Sequence, residues 1–190
     1  CEFANSLRNH HNAYYTPPSI VYSVVNDLPD FEKKDIINIL EPSGGCGNFL
    51  PLLFKKYENK KKVNLTIVDI DNNVLILLKE LLKKIKIPKN YEIIFSNEDF
   101  LLKNFDVFEK NKKYDLVIGN PPFGKIMDKN LLKKYNYSLS NNLFVLFLEK
   151  SINISNFVAM VLPKNIISSP EYNTIKEIIE KKHITKINDY

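Results

Sequence analysis

The feature that most constrains the fold is an alternation along the chain: a short apolar run, a polar or glycine-rich turn, then an amphipathic stretch. Residues 36–40 read as a buried strand ending at Glu41, and a glycine-rich turn leads into a predicted helix over 49–57. Residues 63–68 predict a second strand closed by Asp69. A helix over 72–85 follows, whose Val74, Leu78, Leu81 and Ile85 share one face, expected to lie in the core. Further strands are predicted over 91–95, 114–118 and 157–162, with a helix over 143–152. Ser169 and Pro170 mark a helix start with Glu171 in its first turn, and residues 184–188 suggest a sixth strand. Parallel strands need helical crossovers, so the expected fold is α/β, a mostly parallel doubly wound sheet with helices on both faces.

Composition narrows the class. The 190 residues, 44% hydrophobic and 26% charged, suit one globular domain spanning 1–190. The longest apolar runs, near 143–148 and 157–162, fall short of the roughly 18–20 residues that cross a bilayer. With no signal-like segment, the expectation is a cytoplasmic protein with no membrane partner. Cys1 and Cys46, the two cysteines, have no metal-ligand spacing, so a reducing compartment and no metal site are expected. A net charge of +5, with lysine runs at 60–62 and 83–86, suits a polyanionic partner but equally suits solvated helix faces. His10, His11 and His183 have no catalytic pairing pattern and read as surface residues. The chain starts at Cys1 rather than methionine, so both ends are expected to be incomplete.

Open parallel sheets bind ligands at the carboxyl ends of their strands, beside the reversal in strand order. The unusual residues fall there. Glu41-Pro42-Ser43-Gly44-Gly45-Cys46-Gly47 follows the first strand, and Gly45 and Gly47 allow positive φ and a close backbone approach to a ligand. A structural turn would also account for them; the spacing is neither a GxGxxG fingerprint nor a P-loop. At the end of the second strand, Asp69 is placed to accept both hydroxyl protons of a ribose. Asp71 competes for that role or caps the next helix. Asp99 follows the third strand and could accept from an adenine amino group while Phe100 packs on the ring; an ordinary loop acid before a core phenylalanine is the alternative.

After the fourth strand stands Gly119-Asn120-Pro121-Pro122-Phe123-Gly124. Two prolines fix the backbone and remove two donors, so the Asn120 amide and the Pro121 carbonyl can each accept a proton from an NH2 group. Phe123 offers a flat surface for a base or a planar amide.

Asn120 to Phe123 resembles the (D/N/S)-P-P-(Y/F) motif of amino-group methyltransferases, and Glu41 to Gly47 resembles their cofactor loop. Tyr15-Thr16-Pro17-Pro18, ahead of an apolar helix over 20–28, resembles the segment that precedes this loop in gamma-class DNA adenine methyltransferases of restriction-modification type. The resemblance runs from about Tyr15 to about Asn188. It implies a Rossmann-like class I methyltransferase domain with S-adenosylmethionine as cofactor. Thr16, Pro17, Glu41 and Gly45 would lie along the cofactor's methionine part, Asp69 would hold the ribose hydroxyls, and Asp99 and Phe100 would recognise the adenine, with Pro42, Gly47, Ile70, Asn120 and Pro122 also binding the cofactor. Asn120, Pro121, Pro122 and Phe123 would carry methyl transfer to the N6 amino group of a flipped-out adenine in double-stranded DNA.

Full enzymes of this kind add a target-recognition domain, and no segment here supplies one. A C-terminal recognition domain or a separate restriction or specificity subunit is therefore an expected partner. The strand-four motif also serves enzymes that methylate protein glutamine or RNA amino groups. A non-enzymatic methyltransferase-like scaffold subunit is the remaining alternative.

Overall fold

The structure, a computed structural model, describes residues 16–104, 114–127, 132–133, 140–182 and 184–189. Cys1, His10, His11, Tyr15 and His183 lie outside the described residues. Five strands, β1 (Ile36–Glu41), β2 (Lys62–Asp69), β3 (Tyr91–Asn97), β4 (Tyr114–Gly119) and β5 (Ser155–Met160), form one sheet in the order β3-β2-β1-β4-β5. All their pairings are parallel. The predicted α/β sheet is thus present, and the order of connection reverses between β1 and β4. Residues of β4 are buried on both sides, as its unbroken apolar run requires.

Helices α1 (Pro18–Asn26), α2 (Leu50–Lys56) and α3 (Asn72–Leu82) cover one face. Val21, Val25, Leu53, Leu75 and Leu78 pack there against Ile37, Ile39, Leu65, Leu116 and Ile118 of the sheet. The opposite face, carrying Leu40, Val68 and Val117, packs on Leu146 and Phe147 of α4 (Leu143–Ile154). Short α5 (Asn165–Ser168), a 3-10 turn (Pro170–Tyr172) and α6 (Asn173–Glu180) then extend this layer, with Tyr172 and Ile175 against Phe144 and Leu148. Pro18 stands in the first turn of α1, where a missing N–H costs nothing, so the two prolines start the helix as expected. Among the described residues no helix is long and apolar enough to cross a membrane.

Two expectations are corrected. The buried stripe of α3 is Leu75, Leu78 and Leu82, whereas Leu81 and Ile85 are 40% and 43% exposed and Val74 is half-buried. Asn72–Leu82 is apolar around much of its circumference, so periodicity allowed either stripe; the docking of α3 on Ile67 and Gly47 selects one. Residues 184–189 form no strand. Their apolar positions, Ile184 and Ile187, are three apart and do not alternate. The polar side chains between and after them hold the segment to α1 instead: Lys186 bonds Asp27 at 2.8 Å and Asn188 bonds Asp27 at 2.8 Å.

Leu78→Ala should therefore lose about 2–5 kcal/mol of unfolding free energy, while Leu81→Ala should stay within about 0.5–1 kcal/mol of wild type. Urea denaturation of the two variants side by side checks this. Equal losses would return Leu81 to the core.

Candidate functional site

The chain leaves β1 toward α2 on one face and β4 toward α4 on the other, which opens a cleft between the two strand ends. The cleft encloses about 430 Å³. Of the residues expected at a site, Thr16, Glu41, Pro42, Gly45, Asp69, Ile70, Asp99, Phe100, Asn120, Pro121 and Pro122 all line it. Pro17, Gly47 and Phe123 do not.

The turn after β1 is held by Asp69. One carboxylate oxygen accepts the Gly45 N–H at 2.9 Å and the other accepts the Asp71 N–H at 3.0 Å. Gly45 has φ +49° and open space where a side chain would project, which suits close approach by a ligand. Gly47 also has positive φ, at +69°, but a Cβ there would meet Leu78 at 2.5 Å. Its smallness serves the packing of α3 against the turn, not the cleft. Asp71 resolves to a helix cap: its side chain accepts the Asn73 N–H at 2.9 Å at the start of α3.

Glu41 is 2% exposed, and its Oε2 has no hydrogen-bond partner among the described residues. Burial, aided by the nearby negative charge of Asp69, holds its carboxyl well above the usual carboxylate range. A buried carboxylate that lines a cleft and lacks a partner is suited to a cationic group on a ligand. Close by, Ile70 is 68% exposed, because Asn97 of β3 bonds the carbonyls of Asp69 and Ile70 at 3.0 and 2.9 Å and turns the chain outward. The exposed Ile70 side chain gives the cleft an apolar surface that suits a flat heterocycle, whereas Phe100, 2% exposed, is a core residue beneath the cleft, its ring packed on Phe147, as the alternative reading of the sequence had it. Asp99 winds the turn after β3, its carboxylate accepting the Leu101 N–H at 2.8 Å and its carbonyl the Lys103 N–H at 2.9 Å.

Two hydrogen bonds connect the separate motifs. Asn48 Nδ2 donates to the Thr16 carbonyl at 3.1 Å, tying the segment before α1 to the glycine turn. Ser43 Oγ donates to the Asn120 carbonyl at 3.0 Å, joining the glycine turn after β1 to the Asn-Pro-Pro segment after β4. Beside this contact, Gly119 sits against Pro42, which a Cβ would approach to 3.2 Å. Phe123 is half-buried and stands edge-on to Phe144, with centroids 6.2 Å apart and planes at 87°. Ser43, Cys46, Asn48, Val74, Ile126, Leu143 and Phe147 also line the cleft without having been expected there. Ser43, Cys46 and Asn48 lay within the motif already identified; Leu143 and Phe147 reach the cleft only through the packing of α4.

The family profile of the Eco57I restriction-modification methylases matches residues 24–190. The type II methyltransferase M.CvrRI of Paramecium bursaria Chlorella virus XZ-6E is 28% identical over 183 residues, covering 90% of this chain and 41% of the relative. M.AccI of Acinetobacter calcoaceticus, another type II methyltransferase, is 27% identical, with 92% of this chain and 33% of the relative covered. The chain thus spans well under half the length of these curated relatives. A solved Listeria monocytogenes structure, assigned to the class I S-adenosylmethionine-dependent methyltransferases, superposes with a TM-score of 0.70 at 20% identity, over 87% of this chain and 51% of that one. The fold is therefore the Rossmann-like class I methyltransferase fold, whose members take their methyl group from S-adenosylmethionine. With its sheet order, its cleft and its match over most of its length, the chain belongs to the Eco57I restriction-modification methylase family.

Proposed function

We propose that this chain is the methyl-transferring domain of a DNA adenine-N6 methyltransferase that uses S-adenosylmethionine and acts on a flipped-out base in double-stranded DNA. The observation that carries this reading is the meeting of the Glu41 turn and Asn120-Pro121-Pro122 in one cleft, joined through Ser43 and Asn120. Restriction-modification relatives support DNA as the substrate. The greater length of those relatives supports a further domain in the full protein, such as a recognition domain, as the source of sequence selection, with a separate specificity or restriction subunit as the alternative source.

The residues fit the cofactor. Glu41 would face the positively charged methionine end, beside Thr16 and Pro42. The Gly45 backbone would allow close approach there. Asp69 would hold the ribose hydroxyls, Ile70 would flank the adenine over a floor supported by the buried Phe100, and Asp99 would accept from its amino group. S-Adenosylmethionine supplies an electrophilic methyl group on a cationic sulfur.

Nucleophilicity is the chemical difficulty, because the lone pair of an adenine amino group is delocalised into the ring. The Asn120 amide oxygen and the Pro121 carbonyl would accept the two amino protons, favouring a pyramidal nitrogen and stabilising the positive charge that develops on it. The consecutive prolines hold these acceptors in place, so little reorganisation accompanies the reaction. Phe123, half-exposed just after them, would stack on the target base. Flipping is needed because a stacked, paired adenine keeps its amino group inside the duplex.

The direct test incubates the full-length protein with methyl-labelled S-adenosylmethionine and duplex DNA, RNA or protein, then digests the product. Label in N6-methyladenine from DNA is expected; label confined to glutamine or RNA would overturn the substrate. Asn120→Ala should lose roughly 10²–10³ in kcat, the scale of one oxyanion-hole donor. Full turnover in that variant would refute the mechanism.

Glu41 gives a second, pH-dependent expectation. Its folded-state pKa is raised, so the unfolded chain loses this proton first, near 4.5. The group's contribution to stability is complete below that pH and is lost as pH rises through the folded value. Without cofactor, Glu41→Gln should gain stability relative to wild type in urea denaturation as pH rises above about 4.5, while binding S-adenosylmethionine more weakly. A pH-independent difference would remove Glu41 from the buried titrating groups.

A further inference from the structure

Lys150, on the second turn of α4, reaches away from its own helix into the turn after β3. Its ammonium donates to the carbonyl oxygens of Phe100 at 2.5 Å, Leu101 at 3.1 Å and Lys103 at 2.6 Å. It also lies 5.0 Å from the centroid of the Phe100 ring. Three carbonyl dipoles converging on one point repel one another unless a cation stands there. An ammonium group, with three donors that can each find a separate acceptor, matches the arrangement. Charge-assisted hydrogen bonds of this kind are about twice as strong as neutral ones.

The turn so held is the one wound around Asp99, whose Asp99, Phe100 and Leu101 line the cleft. Lys150 itself is not among the lining residues. It grips the turn from outside, through backbone carbonyls and the buried Phe100 ring, and leaves the half-buried Asp99 side chain at the cleft to meet a ligand. The same helix lines the cleft with Leu143 and Phe147, and the Phe147 ring packs on Phe100 with centroids 4.8 Å apart. One side chain therefore ties the turn that would read a purine to the helix that follows the reacting motif. A separate cluster secures the turn's outer side, where Lys103 pairs with Glu98 and bonds Ser96 at 2.8 Å. Loss of the Lys150 contacts would thus shift the turn without unravelling it.

We propose that Lys150 is a positioning residue that fixes Asp99 and Phe100 in register with α4 and thereby sets how well the site distinguishes adenine from a purine lacking the exocyclic amino group. This rests on the reading of the cleft as the S-adenosylmethionine site.

The test titrates the full-length protein calorimetrically with S-adenosylhomocysteine and with S-inosylhomocysteine, in which a carbonyl replaces the amino group. Wild type should prefer the adenosyl compound. Lys150→Met keeps the aliphatic stem and should weaken binding of the adenosyl compound about ten-fold, with the inosyl compound nearly unchanged, so that discrimination collapses. Methyl transfer to duplex DNA at saturating cofactor should keep its kcat within about two-fold, the loss appearing in KM. Undiminished discrimination in folded Lys150→Met, or a loss confined to kcat, overturns the proposal. Lys150→Arg is the second probe should the methionine variant fail to fold: its donors are spread over a rigid plane and not gathered on one atom where the three carbonyls converge, so discrimination should fall part-way, and wild-type discrimination would overturn the role. Wild type that binds neither compound, or binds both equally, overturns instead the reading of the cleft and of Asp99 on which the proposal rests.

Discussion

Everything at the site depends on β1 and β4 lying side by side and parallel while their chains depart to opposite faces of the sheet. Two adjacent strands with diverging exits cannot close over their shared carboxyl end, so a cleft forms whatever the side chains are. The side chains then decide what the cleft is for. Parallel register brings Pro42 beside Gly119 and Ser43 to Asn120, so that two motifs separated by more than seventy residues of sequence become one surface.

The electrostatics of this surface carry a folding cost. Glu41 and Asp69 are two acids at neighbouring strand ends, and among the described residues Glu41 is buried without a hydrogen bond to its Oε2. A sequence selected for stability alone would place an apolar or amide side chain there. Asp69, by contrast, is satisfied by backbone N–H groups and organises the glycine turn. The two acids thus differ: Asp69 builds the loop, whereas Glu41 is buried at the cleft with its carboxyl held above the usual carboxylate range.

Much of this was legible from residues alone. Strand ends carrying glycine, aspartate or Asn-Pro-Pro-Phe stand out against the apolar runs that precede them, and the parallel sheet follows from the helical spacers. Less legible were the choices that periodicity leaves open. Leu75 and Leu82, not Leu81 and Ile85, face the core, because a helix apolar on several sides takes its rotation from its neighbours. Residues 184–189 lay unpaired because Lys186 and Asn188 found Asp27. Lys150 gave no signal at all, being one lysine among many until α4 packed beside Phe100.

The sequence by itself determined the kind of fold and the strand ends at which polar and glycine-rich segments gather, because these follow from local rules: strand apolarity, glycine at positive φ, and the stiffness of paired prolines. Tertiary structure alone decided which groups share a cleft, which glycine serves packing and which leaves the backbone open, that Asp71 caps a helix, and that Lys150 holds the turn around Asp99. Those outcomes depend on distances between residues remote in the chain, and no local pattern carries the distance between one helix and the loop it happens to meet.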